Sequence, residues 1–142
     1  MQLKSNYKIL KEHNLLIIKQ KGILNLNSMM GFIKSLNSDS SFCPKLEHIV
    51  DLHDVVFDLT LEDINKYVNH LENNSKIYGH KRIALVTNTP NQVAYSTLFK
   101  LAQEQLQPLQ NIQIFSTHEK AYNFLKLENL SYQQVSTIIK EL

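Results

Sequence analysis

The feature that most constrains this chain is an alternation. Short runs rich in Ile, Val and Leu are separated by longer segments whose apolar residues recur at three- and four-residue spacing. The short runs are Tyr7 to Lys11, Leu15 to Lys21, Leu46 to Leu52, Arg82 to Thr87 and Ile112 to Phe115. The first two are separated by the turn-favouring pair His13-Asn14 and read as a hairpin. Leu15, Leu16, Ile17 and Ile18 in succession imply a strand covered on both faces, and Gly22 is expected to release the chain from it. Each later strand is reached through a helical segment, the connection that parallel neighbours require. The expected fold class is therefore α/β: a mainly parallel sheet with an N-terminal β-hairpin, in the order ββαβαβαβα plus a C-terminal helix.

The helical segments carry their own start and stop signals. The first begins near Asn27, places Met29, Met30, Ile33 and Leu36 on one face, and ends in the polar stretch from Asn37 to Ser41. Thr60 is the expected N-cap of the second, with Glu62 and Asp63 in the first turn where the helix dipole favours acids. Its face is Ile64, Tyr67, Val68, Leu71 and Tyr78, and Gly79 is placed to stop it. Thr89-Pro90-Asn91-Gln92 supplies a cap, an N1 proline and a Gln at N3. Val93, Ala94, Leu98, Leu101, Ala102 and Leu106 are expected to continue that helix to Pro108. Ser116 with Glu119, and Ser131 with Gln134, predict two capping boxes before the last apolar stripes.

The chain's 142 residues, 43% hydrophobic and 20% charged, suit one globular domain spanning 1–142, with 130–142 an added C-terminal helix. The net charge of +2 is dispersed among interleaved acids, which argues against nucleic acid as a partner. Cys43 is the only cysteine, so no intramolecular disulfide forms. The first residues lack the apolar core of a signal peptide and Leu15 to Ile18 is too short to span a bilayer, so a cytoplasmic location is expected.

In parallel sheets, functional groups gather beyond the carboxyl ends of the strands. That edge is expected to hold Asp51, His53 and Asp54 after the third strand, Asn88 after the fourth, and Thr60 at a helix start. Asp51, His53 and Asp54 could make a small enzyme or metal site. His118-Glu119-Lys120-Ala121-Tyr122 begins like a zinc-protease helix but has Tyr where the second His would sit, and reads as a helix start. His13, His48, His70 and His80 have no partner at ligand spacing. Gly22, Gly31 and Gly79 are the only glycines, so no Gly-rich phosphate loop exists, and no Gly-x-Ser-x-Gly nucleophile motif is present. No catalytic residue, metal or cofactor is therefore assigned. The expected role is a non-enzymatic binding module, with Met29, Phe32, Tyr95 and Phe99 around a cavity for an apolar ligand. A homodimer through the stripe Val135, Ile138, Ile139 and Leu142 is the structural alternative.

The order of elements resembles the SpoIIAA-like proteins, a bacterial group with a STAS-type fold related to the lipid-binding CRAL-TRIO domains. The resemblance spans residues 7 to about 127. It rests on the hairpin ending Lys21-Gly22, Ile49-Val50-Asp51-Leu52, Thr60-Leu61-Glu62-Asp63-Ile64, Arg82-Ile83-Ala84-Leu85-Val86, and Ile114-Phe115 with Glu119-Lys120-Ala121. It implies a non-enzymatic regulatory module that binds a protein partner, an apolar ligand or a membrane surface. In the anti-sigma-factor antagonists a phosphorylatable Ser sits beside an Asp after the third strand. Here Asp51 is followed by Leu52-His53-Asp54 and no hydroxyl until Thr60, which departs from that phosphoswitch.

Overall fold

The computed structural model describes residues 1–74, 81–105 and 110–142. β1 (Lys4–Leu10) and β2 (Leu15–Leu24) pair antiparallel. A 3-10 turn, Lys11–His13, joins them, with Asn14 in the left-handed region at φ 51°. There follow α1 (Leu26–Ser38), β3 (Glu47–Phe57), α2 (Leu61–Glu72), β4 (Arg82–Val86) and α3 (Pro90–Gln103). β5 (Asn111–Phe115), α4 (His118–Leu125) and α5 (Tyr132–Glu141) complete the chain. The sheet order is β1-β2-β3-β4-β5, with β2 to β5 parallel. This is the α/β order expected from the sequence.

Because sheet order follows chain order, the three parallel crossovers advance in one direction. Right-handed connections then place α1, α2 and α3 on the same face. The chain reaches the other face only after β5, and covers it with α4 and α5. Alternation along β3 divides its side chains accordingly: Ile49 packs with the α4–α5 cluster, Val50 and Leu52 with the clusters opposite.

The α4–α5 face is a continuous apolar core. Leu15, Ile17, Ile49, Ala84 and Val86 of the sheet meet Ala121, Leu125, Val135 and Ile139 of the helices, with Leu130 between them. Ile138 and Leu142 lie half-buried against the same cluster. Val135 and Ile139 of the C-terminal stripe are thus buried within their own domain, with Ile138 and Leu142 half-covered.

Several expectations are corrected. β3 runs five residues past Leu52, so His53 and Asp54 lie in the strand rather than in a loop. Its register against β2 shifts there, with Lys19 opposite Asp51 but Lys21 opposite Asp54, so β3 carries one extra residue. Gly22 does not end β2; at φ 103° it permits the N-terminal segment to lie alongside, where a Cβ would stand 2.5 Å from the Gln2 carbonyl oxygen. α4 is capped by Thr117, whose hydroxyl accepts the Lys120 N–H, rather than by Ser116.

α3 turns mostly polar residues inward. Its buried residues are Gln92, Ser96, Phe99 and Gln103, while Val93, Leu98 and Leu101 face solvent. Gln92 sets this rotation. β4 stops opposite Asp51, leaving the end of β3 without a neighbour on that side. The Gln92 amide takes the strand's place, donating from Nε2 to the His53 and Val55 carbonyl oxygens at 3.0 Å, while Oε1 accepts the Asn88 N–H. Elsewhere the starts are as the sequence indicates, with reciprocal boxes at Thr60–Asp63 and Ser131–Gln134, but α2 ends at Glu72 and α3 at Gln103, short of the stops expected at Gly79 and Pro108. Tyr78, Gly79, His80, Leu106 and Pro108 fall outside the described residues. Among the described residues no helix is long and apolar enough to cross a membrane.

Candidate functional site

Between the sheet and α1–α3 lies a cavity of about 150 Å³. Its character changes from one end to the other, and strand register explains why. At the carboxyl ends of the strands it is walled by Leu24, Leu52 and Phe57, with Met29 and Phe32 from α1 and Phe99 from α3. At the strand starts, Lys81 and Gln110 immediately precede β4 and β5 and are tied together by the Asn111 N–H donating to the Lys81 carbonyl. His48 sits beside Ile83 in the register of β3 and β4, and Gln103 comes from the last turn of α3. The result is a mostly apolar chamber with Lys81, Gln103, Gln110 and His48 at the strand starts, and Ser96 of α3 and Gln20 of β2 further along it.

The polar groups are deeply buried: Ser96 is 1% exposed, Gln103 5%, His48 8% and Lys81 8%. Among the described residues four buried side-chain atoms have no hydrogen-bond partner, and three of them, His48 Nε2, Ser96 Oγ and Gln103 Oε1, belong to residues of this cavity. Each such atom costs about 1–3 kcal/mol in lost hydration. Burial holds the His48 imidazole well below its ordinary pKa, and the nearby Lys81 charge adds to the effect. His48 is therefore neutral at physiological pH, with one N–H and one lone pair to offer. Burial also pushes Lys81 down to about 8 against the opposing influence of Cys43 and Glu47, so its ammonium persists at neutral pH. The Lys81 Nζ lies 5.8 Å from the centroid of the Phe42 ring. Burial alone pushes the Tyr67 phenol, another lining group, up to about 12.

Of the four residues that the sequence suggested around a cavity, Met29, Phe32 and Phe99 line it. Tyr95 does not; its ring stacks on Phe57 at 5.1 Å and its hydroxyl donates to the Leu59 carbonyl. The polar lining residues were not singled out in the sequence. Two signals were present: Gln92, Ser96, Phe99 and Gln103 share helical spacing, and His48 alternates with Val50 and Leu52.

A second constellation occupies the opposite face. Asp51 is buried, and its Oδ1 accepts the His53 N–H at 2.9 Å, pinning the extra residue of β3. Its Oδ2 lies 3.0 Å from His118 Nε2, at the first position of α4. The His53 and His118 rings approach to 5.2 Å. Burial works to raise the Asp51 pKa, but the hydrogen bonds from His118 and the His53 backbone, with the two imidazoles nearby, outweigh it and hold the carboxyl below its usual value. His118 thus does more than open a helix. Asp54 points to solvent, Thr60 is exposed at its cap, and Asn88 is held by its own N–H on Gln92, so none of the three joins Asp51 and His53. Arg82, the sole arginine, is committed to Glu47, with Nε and Nη2 both 2.9 Å from Oε1.

No family model matches the sequence, and no curated protein matches it significantly. Solved structures do. A protein of the DUF3478 family with a SpoIIAA-like fold from Shewanella loihica PV-4 superposes with a TM-score of 0.54 at 15% identity, covering 87% of this chain and 93% of that one. An anti-sigma factor antagonist from Mycobacterium paratuberculosis also gives 0.54, at 13% identity, covering 88% of this chain and 95% of its own. The chain has a SpoIIAA-like, STAS-type fold.

Proposed function

We propose that this protein is a non-enzymatic binding module whose cavity takes a small molecule with an apolar body and one polar end. The observation that carries the reading is the set of partnerless polar atoms around an otherwise apolar chamber. A chamber lined only by Leu, Met and Phe would stay dry and leave no polar group unmet. Placing the partnerless atoms of His48, Ser96 and Gln103 there is expensive unless something meets them. A volume of about 150 Å³ accommodates a molecule of benzene's size. A carboxylate or hydroxyl on such a body would accept from Lys81 at the strand starts, where a hydroxyl could also donate to Gln103.

Calorimetric titration with benzoate, benzyl alcohol and toluene tests this directly. Saturable binding of at least one, lost when Ser96→Leu fills the chamber, is the expected result. Binding of none of the three, or binding unchanged in Ser96→Leu, overturns the reading.

A protein partner is the second reading, favoured by the apolar residues that α3 turns to solvent, Val93, Leu98 and Leu101. A fold like that of an anti-sigma factor antagonist is compatible with such a role. Affinity capture with the wild type and with Leu101→Glu distinguishes it: a partner retained by the first and lost by the second supports it, and equal recovery counts against it.

A further inference from the structure

The Asp51, His53 and His118 side chains are not needed for the cavity, which lies on the other face of the sheet. They converge on one point. The ligating atoms of the three lie within 4.8 Å of one another. Asp51 Oδ2 and His118 Nε2 are 3.0 Å apart, and His53 Nδ1 is 3.7 Å from Asp51 Oδ1. Bonds of about 2.0–2.1 Å in tetrahedral geometry hold ligand atoms about 3.3 Å apart, so an ion would draw the three groups slightly closer together.

We propose that Asp51, His53 and His118 bind a divalent transition-metal ion, through two imidazoles and one carboxylate, with a remaining position open to solvent. Three observations support the site beyond proximity. The first is placement on rigid backbone: Asp51 and His53 sit on β3 at its extra residue, and His118 opens α4 behind the Thr117 cap. Bulged strands commonly re-aim side chains in this way next to functional sites. The second is that His53 is unspent. Among the described residues neither of its ring nitrogens makes a hydrogen bond, and Nε2 is fully buried. The third is that the nearest ammonium in the strand register is directed elsewhere: Lys19, opposite Asp51, turns its Nζ to the Ile139 carbonyl at 3.4 Å. With two imidazoles, one carboxylate and no thiolate, the donor set suits Zn²⁺, Co²⁺ or Ni²⁺ better than Mg²⁺ or Ca²⁺.

The test is calorimetric titration of the full chain with ZnCl₂ at pH 7.5 in a non-chelating buffer, repeated on His118→Ala, His53→Ala and His70→Ala. One ion per chain is expected, with affinity reduced about tenfold or more in the first two variants and unchanged in the third. Circular dichroism melts establish that the variants fold; His118→Gln replaces any that does not. Visible ligand-field absorption on adding CoCl₂, lost in His118→Gln, is the expected second readout. Absence of saturable binding overturns the proposal, as does an ion bound equally well by wild type, His53→Ala and His118→Ala. Zinc binding has no bearing on whether benzoate enters the cavity, so either proposal can fail alone.

Discussion

The two faces of this sheet are built from the same strands yet solve different problems. The face under α4 and α5 receives Leu15, Ile17, Ile49, Ala84 and Val86 and matches them with Ala121, Leu125, Val135 and Ile139. Small and branched residues from both sides are buried together there. The face under α1, α2 and α3 receives the alternate residues of the same strands and meets them with Met29, Phe32, Tyr67 and Phe99, around a chamber of about 150 Å³. Three of its polar atoms have no partner. One face is optimised for burial. The other gives up stability in a pattern that resembles a binding site more than a packing fault.

The sharpest way to break the comparison is to remove bulk from each face. Ile139→Ala should cost about 2–5 kcal/mol, read from urea midpoints, because the packed face cannot collapse around the deletion. Met29→Ala should cost less, since it enlarges a chamber that already exists. Equal losses would show that the faces are packed alike.

Next in size is the buried ammonium. Lys81 has its pKa pushed down from 10.5 to about 8, so between those values the unfolded chain binds the extra proton. Stability should therefore rise with pH across that window and be lowest at neutral pH as far as this residue is concerned. Lys81→Met should remove that pH dependence between about 8 and 10.5, read from urea midpoints, while weakening binding of benzoate relative to benzyl alcohol. The same rise retained in Lys81→Met would mean that another group titrates there.

His48 gives a smaller, pH-dependent effect of the same sign. Its folded pKa lies below 6.5, so at lower pH the unfolded chain takes up a proton that the native state refuses. This residue contributes no penalty above pH 6.5, and below it removes up to about 1.4 kcal/mol per pH unit. Urea midpoints at pH 7 and 5.5 should fall further for wild type than for His48→Gln. Smallest is Ser96→Ala, which deletes one partnerless hydroxyl and should raise stability by about 1 kcal/mol in thermal melts. A loss in that variant would indicate that the hydroxyl is already satisfied.

The sequence carried the fold further than the sites, for physical reasons. The order of elements and caps such as Thr60 and Ser131 are local signals and appear where expected, whereas β2 and β3 run past their expected ends and α4 is capped one residue later. The rotation of α3 is not local. Judged by apolarity, Val93, Leu98 and Leu101 should face inward, but Gln92 bonds to two carbonyls of β3 that lie 39 and 37 residues away and turns them outward. Nothing near Gln92 in sequence announces that β4 will stop short and leave those carbonyls open. His118 was hidden for the same reason: 67 residues separate it from Asp51, and only the sheet order joins them. By contrast, Asp51 and His53 were visible because a strand end and a two-residue spacing are enough to pair them.

The measurement that tests the account most directly is a methyl-resolved NMR titration with benzoate, read at Met29 on one face and at Val135 and Ile139 on the other. The account predicts saturable shifts at Met29, with Val135 and Ile139 left in place. No shift at Met29, or shifts centred on Val135 and Ile139, would contradict it.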